Sequence, residues 1–258
     1  MKSVYRLGLL GRDIGYSRSP ELFAEIFRRE GLEGSTYRLI DRSEVSPFFT
    51  EVRRTAHWDG FNVTTPYKTA VIPYLDRLDP LSTAVGAVNC VTCREGILTG
   101  YNTDVEGFAA SLREEIGEGT LPGCALILGS GGASRAVRVA LEQLGIPSEM
   151  VSRSRGLTYE ELTPEQLART PLIVHATPLG SAKYPGAKPP LPYNALHAGQ
   201  LLIDLTYEPE VTPFLKEGLA HGCRTANGLT MLRAQAEAAW HHFRDKRISE
   251  PSSSSKVS

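Results

Sequence analysis

The sequence lacks long apolar runs and a surplus of charge of either sign. No stretch approaches the roughly 18 consecutive apolar residues that a membrane-spanning helix needs. Lysine and arginine total 28 and aspartate and glutamate total 29, so the formal net charge is −1. This balance argues against a nucleic-acid-binding protein, which usually carries a surplus of basic residues on its binding face. With 41% apolar residues, the composition also differs from that of an acidic disordered chain.

The amino terminus lacks the pattern of a secretory signal. Residues 1–6 mix charged and apolar side chains too early for the apolar segment of a signal peptide. We therefore expect a cytoplasmic protein whose partners include neither a membrane nor a nucleic acid. The 258 residues are compatible with one large domain or two of medium size, because domains typically have roughly 100–200 residues.

Cysteine is scarce, and its spacing does not complete a metal site. Cys90 and Cys93 form a CxxC, but they fall in a segment with strand character, where residues three apart point to opposite faces. No second CxxC or histidine pair follows to complete four zinc ligands. We therefore expect free thiols in a reducing compartment, and no metal.

Short apolar runs alternate with amphipathic stretches along most of the chain. This alternation predicts an α/β fold with mostly parallel sheets. The predicted strands are 4–10, 37–40, 60–63, 88–91, 124–128, 149–151, 172–175 and 201–205. The predicted helices are 20–30, 43–54, 66–75, 105–116, 134–144, 212–221 and 229–243. We expect the proline-rich stretch 184–192 to be a loop and the serine-rich tail 248–258 to be disordered.

A glycine-rich turn follows the strand predicted at 124–128 and precedes a helix. Small residues in such a turn let the backbone approach a pyrophosphate, and the free N–H groups of the helix N-terminus point at it. This context favours a dinucleotide-binding turn over a tight turn that uses glycine only for its dihedral angles. The turn consists of Gly129, Ser130, Gly131, Gly132, Ala133 and Ser134.

The end of the next strand indicates which dinucleotide is bound. An NAD-binding protein places a carboxylate there, which accepts a hydrogen bond from the ribose 2′-hydroxyl. This chain has Ser152, Arg153, Ser154 and Arg155 instead. Arginine side chains suit a 2′-phosphate. A solvated basic loop is the alternative, but the position after a nucleotide-binding turn favours NADP over NAD.

The start of the first predicted helix has two interpretations. Ser19 followed by Pro20 predicts an N-cap and a first helical residue. The hydroxyl groups of Ser17 and Ser19, together with the helix end, are equally suited to hold a carboxylate. The residues alone do not decide between these roles.

Lys68 and Asp104 each stand where a helix is predicted to begin. Thr65 and Pro66 predict a cap and a first residue, which would place Lys68 beside the positive end of the helix dipole. That placement is unfavourable for a cation by about 0.3–1 kcal/mol, and a surface lysine that points to water is the simpler alternative. Thr103 and Glu106 have the spacing of a capping box, so an acid in this turn already has a structural explanation.

Eight motifs, in order along the chain, resemble those of the shikimate dehydrogenase family. They cover nearly the whole chain except the serine-rich tail. They are 16–20 (YSRSP), 61–68 (FNVTTPYK), 86–89 (GAVN), 100–104 (GYNTD), 129–134 (GSGGAS), 176–180 (ATPLG), 204–207 (DLTY) and 227–235 (NGLTMLRAQ). The resemblance implies reversible NADPH-dependent reduction of 3-dehydroshikimate to shikimate, within aromatic amino-acid and chorismate biosynthesis.

The resemblance also implies the domain organisation. An N-terminal substrate domain with a parallel sheet would comprise 1–103 and 228–247, and a Rossmann NADP-binding domain would comprise 104–227. The active site would lie in the cleft between them, and residues 248–258 would form the disordered tail. A monomer and a homodimer both suit the composition.

The roles of individual residues are likewise implied by the resemblance. Lys68 and Asp104 match the family's catalytic pair, and the sequence does not decide which of the two carries the proton. The substrate would be bound by Ser17, Ser19 and Tyr207 at its carboxylate and by Asn62, Thr64, Asn89 and Gln235 at its ring hydroxyls. The cofactor would contact Gly129, Ser130, Gly131, Gly132, Ala133, Ser134, Ser152, Arg153, Ser154, Arg155, Thr177, Gly228 and Met231.

Four positions depart from the family pattern. Tyr16 stands in place of a histidine, Cys90 in place of a threonine, and Ser152 and His175 each in place of an asparagine. None of these changes removes a group that the chemistry requires.

Two other functions are compatible with much of this pattern. A quinate dehydrogenase, with NAD as an alternative cofactor, would need space for an additional hydroxyl on the carbon that bears the carboxylate. Ser17, Ser19 and Thr64 are larger than such a site favours, which supports shikimate. A non-catalytic NADP-binding regulator would have no need of both Lys68 and Asp104, which supports an enzyme.

Overall fold

Two six-stranded sheets with helices packed on them form the protein. The computed structural model describes residues 4–55, 57–154 and 156–244. The prediction of a disordered tail at 248–258 and the expected cofactor contact of Arg155 lie outside the described residues.

The first sheet is built from the first hundred residues. Its order is β2-β1-β3-β5-β6-β4. Strand β1 is parallel to β2 and β3, β6 is parallel to β4, and β5 runs antiparallel to both β3 and β6. The strands are β1 (Arg6–Gly11), β2 (Thr36–Asp41), β3 (Gly60–Val63), β4 (Arg77–Leu78), β5 (Cys90–Arg94) and β6 (Ile97–Tyr101), and the helices are α1 (Ser19–Arg29), α2 (Ser46–Thr55) and α3 (Pro80–Val85).

The second sheet is entirely parallel. It is built from β7 (Ala125–Leu128), β8 (Ser148–Ser152), β9 (Leu157–Thr158), β10 (Leu172–His175), β11 (Leu201–Asp204) and β12 (Arg224–Ala226). Its order, β9-β8-β7-β10-β11-β12, is that of a doubly wound dinucleotide-binding fold. The strand order reverses between β7 and β10, which places a ligand-binding crevice at their carboxyl ends. The remaining helices are α4 (Asp104–Ile116), α5 (Gly132–Gln143), α6 (Pro164–Arg169), α7 (Pro213–Ala220) and α8 (Leu229–Arg244).

The last helix returns the chain to the first sheet. Trp240 and Phe243 on α8 are buried in one cluster with Tyr5, Phe23 and Phe27, and the Trp240 ring meets Tyr5 edge-on at 5.0 Å. A two-point ion pair between Arg29 and Glu237, at 2.7 and 2.8 Å, joins α1 to α8 at the surface. Aromatic burial of this kind stabilises the docking far more than the exposed ion pair does.

The predicted helix at 66–75 is wrong. The Thr65–Pro66 peptide is cis, and only Ile72–Tyr74 forms a short 3₁₀ helix. The backbone around Lys68 instead bonds to distant segments, because the Lys68 carbonyl accepts a hydrogen bond from the Val88 N–H at 2.7 Å. Lys68 therefore does not lie in the first turn of a helix at 66–75.

Two predicted helix caps are also wrong. Helix α1 begins at Ser19 with Arg18 as its N-cap and no side-chain cap, which leaves the serine hydroxyls for other partners. The capping box predicted for Thr103 and Glu106 is not formed. The Thr103 hydroxyl instead accepts a hydrogen bond from the Asn89 side chain at 3.0 Å.

Most other elements lie close to their predicted positions. The strands at 60–63 and 172–175 are found as predicted, whereas the strand predicted at 88–91 begins at Cys90 and ends at Arg94. The elements that were not predicted are the strands β4, β6, β9 and β12, the helices α3 and α6 and a short 3₁₀ helix at Tyr193–Ala195. The four cysteines are free. Among the described residues, no helix is long and apolar enough to cross a membrane.

The free energy of unfolding should fall as the pH rises above about 9. Burial raises the pKa of the Cys93 thiol to about 12 and raises the pKa values of Cys90, Tyr37 and Tyr193 above their ordinary range. The folded chain therefore keeps protons that the unfolded chain releases, first from thiols and then from phenols. Stability is lost with rising pH wherever the folded state binds more protons. Urea unfolding in steps of about one pH unit from about pH 7 to 11 measures this.

A cysteine variant distinguishes the contribution of the thiols to this loss of stability from that of the phenols. Cys93→Ala should reduce the loss of stability between about pH 9 and 10 and leave the later, phenolic part in place. A free energy of unfolding that stays constant up to about pH 11 would contradict the prediction.

Candidate active site

A polar cleft of about 190 Å³ opens between the two sheets. It brings together every residue that the sequence analysis expected to bind substrate or to transfer a proton. Those residues are Ser17, Ser19, Asn62, Thr64, Lys68, Asn89, Asp104, Tyr207 and Gln235. Ala133, Gly228 and Met231, which were expected at the cofactor, complete the wall on the side of the second sheet.

Lys68 and Asp104 form an ion pair inside this cleft. The Lys68 Nζ donates to Asp104 Oδ2 at 2.7 Å, and the side chains are 19% and 7% exposed. Lys68 follows β3, and Asp104 is the first residue of α4. A substrate oxygen beside this pair could receive a proton from Nζ while the carboxylate holds the ammonium group in place.

The Asn89 side chain holds Asp104 in position. Its Nδ2 donates to Asp104 Oδ1 at 2.9 Å and to Thr103 Oγ1 at 3.0 Å, and its Oδ1 accepts from the Thr103 N–H at 2.7 Å. Asn102 adds a further bond, because its Oδ1 accepts from the Asp104 N–H at 3.2 Å. Both Nδ2 hydrogens of Asn89 are thus engaged with the residues around the ion pair.

Three hydroxyl groups meet at one end of the cleft, across the two sheets. The Ser17 hydroxyl lies 3.2 Å from that of Ser19. The Tyr207 hydroxyl is within hydrogen-bonding reach of the Arg18 N–H and the Ser17 hydroxyl. Burial raises the pKa of Tyr207 although these two neighbours oppose the rise, so at neutral pH the phenol is a hydrogen-bond donor. Three adjacent donors of this kind can bind a carboxylate.

Tyr37 orients Asn62, a role that the sequence analysis missed. Its hydroxyl donates to Asn62 Oδ1 at 2.9 Å, while Asn62 Nδ2 donates to the Asn89 carbonyl at 3.1 Å. The Tyr37 ring stacks on Phe23 at 4.1 Å, and its hydroxyl also reaches Ser19. The amide of Asn62 is therefore held in one orientation and keeps one N–H for a ligand.

Gln235 reaches the cleft because α8 packs closely on α4. A Cβ at Gly107 would lie 2.8 Å from the Cβ of Gln235, so only glycine allows this approach. The Gln235 Nε2 donates to the Leu232 carbonyl at 2.9 Å, which leaves its carbonyl oxygen for a ligand.

The glycine-rich turn has the geometry of a dinucleotide cradle. It joins β7 to α5, and Gly129 has a φ of +124°, a value that L residues rarely adopt. The Ser134 hydroxyl at the start of α5 is buried without a hydrogen-bond partner. An unpaired polar group and free helical N–H groups at one spot suit an anionic ligand.

The turn also packs directly on the segment that carries the ion pair. A Cβ at Gly132 would lie 3.3 Å from Ala87 and 3.7 Å from the Lys68 side chain. A pyrophosphate bound at the turn would therefore lie close to the ion pair.

The other expected cofactor residues lie around the carboxyl ends of the second sheet. Ser152 is buried at the end of β8, Arg153 is exposed just beyond it, and the Ser154 N–H approaches the Ser152 hydroxyl at 3.4 Å. Thr177 follows β10 and lies beside Gly129. A Cβ at Gly228 would lie 2.1 Å from the Leu205 carbonyl, so this position accepts only glycine.

Arg135 on α5 joins the two halves of the cleft, and the sequence analysis missed it. Its Nε donates to the Val85 carbonyl at 2.7 Å, and its Nη2 donates to the Gly86 carbonyl at 3.0 Å and to the Thr69 hydroxyl at 3.2 Å. Thr69 adjoins Lys68. The guanidinium group therefore holds helix α5, which follows the glycine-rich turn, against the segment that carries the lysine. Nothing local marks either Arg135 or Tyr37, because their partners lie far away in sequence.

Within the described ranges, no group of three or more histidine, cysteine, aspartate or glutamate side chains is placed to hold a metal ion. The polar groups of the cleft are the hydroxyls, amides, ammonium and carboxylate named above. The chemistry that these side chains offer is proton transfer and binding of a polyhydroxylated anion.

A family model matches the first part of this chain, and known proteins resemble it along nearly its whole length. Residues 9–91 match the model of the shikimate dehydrogenase substrate binding domain. A shikimate dehydrogenase (NADP(+)) of Streptomyces avermitilis is 37% identical, over 93% of this chain and 90% of that protein.

Solved structures share the fold of both sheets. Shikimate 5-dehydrogenase from Thermus thermophilus, in complex with NADP(H) and shikimate, has a TM-score of 0.82 and 34% identity over 93% of each chain. Quinate dehydrogenase from Corynebacterium glutamicum, in complex with NAD, also has a TM-score of 0.82, with 28% identity over 93% of this chain and 94% of its own.

Arg135→Ala should lower the free energy of unfolding by about 1–3 kcal/mol, the scale of several hydrogen bonds to a charged group. The substitution leaves the Val85 carbonyl buried without its partner. Chemical denaturation of the purified variant measures the loss.

Arg138→Ala provides the matched control, because Arg138 is an exposed arginine on the same helix. It should change the stability by less than about 0.5 kcal/mol. Equal losses in the two variants would show that Arg135 has no special role in joining the two halves.

Proposed function

Because the chain belongs to the shikimate dehydrogenase family, we propose that it catalyses the reversible NADP-dependent reduction of 3-dehydroshikimate to shikimate. The observation that carries the proposal is the Lys68–Asp104 pair, which lies between a wall of hydroxyl and amide groups and a dinucleotide-binding turn. The reaction belongs to the shikimate pathway of aromatic amino-acid biosynthesis.

The substrate carboxylate binds to the three hydroxyl groups at one end of the cleft. The hydroxyl groups of Ser17, Ser19 and Tyr207 lie next to one another in the cleft, and the protonated phenol adds its hydrogen bond from the side of the second sheet. Since Tyr207 comes from the other half of the cleft, a bound carboxylate would bridge both halves. Hydrogen bonds to a charged group are about twice as strong as neutral ones.

The ring hydroxyls bind to amide and hydroxyl side chains next to the ion pair. Asn62 offers the N–H that its two partners leave, Thr64 offers its hydroxyl, and Gln235 offers its carbonyl oxygen. Asn89 lines the same wall, but its amide hydrogens already support Asp104. We assign it a double role, as a neighbour of the ring and as the support of the carboxylate.

Lys68 donates the proton and Asp104 positions it. Both Asp104 oxygens accept hydrogen bonds, one from Asn89 and one from Lys68, as an ionised carboxylate does. The transferable proton therefore lies on the Lys68 Nζ. As the substrate carbonyl becomes an alkoxide, Nζ donates to that oxygen, and in the reverse direction it takes the proton back. Asp104 also accepts a hydrogen bond from the same substrate oxygen once it is a hydroxyl.

NADP(H), when bound, supplies or accepts the hydride. The unpaired Ser134 hydroxyl and the free N–H groups at the N-terminus of α5, reached through the positive-φ turn at Gly129, support its pyrophosphate. We assign Arg153 and Ser152 to the 2′-phosphate, because they lie at the end of β8 and just beyond it. We assign Thr177, Gly228 and Met231 to the nicotinamide side, because Thr177 lies beside the glycine-rich turn and the other two line the cleft. The residues thus fit the cofactor, with Ala133 and Met231 forming the wall that the cleft shares with it.

The same proposal divides the chain into two functional units. Residues 1–103 and 228–247 form the substrate unit, and residues 104–227 form the cofactor unit. Asp104 and Tyr207 of the second unit reach the substrate, and Gly228 and Met231 of the first reach the cofactor. The aromatic packing of α8 on α1 supports the return of the chain to the first unit. The position of Asp104 at the start of α4 supports the boundary between the units.

The purified protein should reduce NADP⁺ in the presence of shikimate, and Lys68→Ala should lower kcat by about 10²-fold or more, the scale of a lost acid–base group. The absorbance band of the reduced nicotinamide measures both. Lys188→Ala is the matched control, because Lys188 forms an ion pair with Glu217 away from the cleft; it should leave kcat unchanged.

The same assay with quinate in place of shikimate, and with NAD⁺ in place of NADP⁺, tests the specificity for the substrate and for the cofactor separately. Shikimate with NADP⁺ should give the highest kcat/KM of the four combinations. A higher value with quinate would overturn the substrate assignment, and near-normal turnover by Lys68→Ala would overturn the proton donor.

Arg153→Ala should raise the KM for NADP⁺ by about tenfold or more, because a charge-assisted hydrogen bond to the 2′-phosphate is lost. The KM for shikimate should stay nearly unchanged. Steady-state kinetics with each substrate varied in turn measures the two constants. Arg169→Ala, at an exposed arginine at the end of α6, is the control, and an equal rise of both constants in Arg153→Ala would contradict the cofactor assignment.

A further inference from the structure

His175 lies at the carboxyl end of β10 with no exposed surface. It pairs in register with Asp204 at the end of β11, so the two side chains are neighbours on one face of the sheet. The His175 Nδ1 lies 3.0 Å from Asp204 Oδ2, and Asp204 is equally buried. Because an ionised carboxylate only accepts hydrogen bonds, Nδ1 is the donor in this pair.

The other ring nitrogen of His175 reaches a residue of the cofactor side. Its Nε2 forms a hydrogen bond of 2.5 Å with the Thr177 hydroxyl, which also accepts from the Leu179 N–H at 3.4 Å. The Phe214 ring, 5.2 Å away, covers the imidazole. Both nitrogens are thus engaged, and the ring has no freedom to turn.

Asp204 continues this chain of hydrogen bonds to the substrate side. Its Oδ1 accepts from the Thr206 N–H at 2.9 Å, immediately before Tyr207, and its Oδ2 also accepts from the Thr212 hydroxyl at 2.6 Å. One continuous network therefore joins the loop after β10 to the loop after β11. The first of these loops carries Thr177 and the second carries Tyr207.

Thr177 also touches the glycine-rich turn. A Cβ on Gly129 would lie 3.0 Å from the Thr177 methyl group and 3.2 Å from the Ala176 carbonyl. A displacement of Thr177 would therefore change its packing against Gly129, the first residue of the turn. The loop after β7 and the loop after β10 therefore contact each other at Gly129.

We propose that His175 is a positioning residue, which holds Thr177 against the cofactor site through Nε2 and ties it to the Tyr207 loop through Asp204. This inference rests on the proposed function, since it takes Thr177 as a contact of NADP(H). An asparagine, the usual family residue at this position, is too short to reach both partners. Relative to that pattern, the histidine adds the bond to Thr177.

Two substitutions test the hydrogen bonds of the two ring nitrogens separately. In His175→Asn, the side-chain amide lies where Nδ1 was and keeps the bond to Asp204, but it does not reach Thr177. In His175→Gln, the amide lies where Nε2 was and keeps the bond to Thr177, but Asp204 loses its donor. Because each variant keeps one bond and loses the other, a general weakening of the structure would not produce opposite results.

The dissociation constant of NADP⁺, measured by calorimetry, and the urea midpoint of unfolding form the two readouts. His175→Asn should raise the dissociation constant about 3–10-fold, the scale of one hydrogen bond, with little change in the midpoint. His175→Gln should bind NADP⁺ within about twofold of the parent protein and unfold at a clearly lower urea concentration, because a buried carboxylate is left with fewer partners.

His197→Asn is the matched control. The His197 ring also makes two hydrogen bonds, to the Ala168 carbonyl and the Gly199 N–H, but it lies at the opposite edge of the sheet. It should leave the dissociation constant unchanged.

A double-mutant cycle with Thr177→Val completes the test. If His175 acts through Thr177, then His175→Asn should raise the dissociation constant no further in a Thr177→Val background. Additive effects, or equal losses of affinity and stability in the asparagine and glutamine variants, would overturn the proposal. Failure of the unmodified protein to bind NADP⁺ would instead contradict the proposed function, so the two outcomes are distinguishable.

Discussion

The ion pair between Lys68 and Asp104 is the contact on which the rest of the site depends. It joins a segment of the first sheet to the first residue of α4, where the chain passes from one sheet to the other. A pair so little exposed contributes usefully only if its remaining hydrogen-bonding groups are satisfied. Asn89 and Asn102 supply those bonds, and the same asparagines link the strands that form the wall of the cleft. One hydrogen-bond network thereby holds both the substrate-binding side chains of this wall and the proton donor Lys68.

Close backbone approach brings the two sheets together around this pair. Gly132 lets the phosphate-side turn pack on Ala87 and Lys68, Gly107 lets α4 pack on α8, and Gly228 fits against the Leu205 carbonyl. A Cβ at Gly107 or Gly228 would clash with its neighbour and separate surfaces that must touch, whereas a Cβ at Gly132 would only tighten the contact with Ala87. Arg135 then fastens the contact with bonds to two carbonyls across the cleft. The geometry that aligns a hydride donor with a proton donor is thus set by packing, and alignment of this kind accounts for much of enzymatic rate acceleration.

The strands and the longer helices were predictable because their signals are local. A buried parallel strand such as Leu172–His175 is a continuous apolar run, and an amphipathic helix such as α8 repeats its apolar face every three or four residues. The segment after Pro66 shows where this reasoning fails. Its threonine–proline pair has the pattern of a helix start, but the Lys68 carbonyl bonds to Val88 and the Thr65 carbonyl to Arg12. Those distant partners outweigh the local preference. The capping box predicted at Thr103 failed for the same reason, since Asn89 takes its hydroxyl.

By itself, the sequence determined the longer strands and helices, the glycine-rich turn and the polar residues that the family motifs mark, because each is written within a few consecutive positions. Only the tertiary structure decided which of those residues meet. Tyr37 reaches Asn62, Arg135 reaches Val85 and His175 reaches both Asp204 and Thr177. Several of these partners are separated by tens of residues. His175 and Asp204 meet because parallel strands bring their carboxyl ends to a common edge, whereas Arg135 reaches Val85 where helix α5 packs against helix α3. A hydrogen bond between such distant positions leaves no mark in a local pattern, because either residue alone is equally compatible with a structural role.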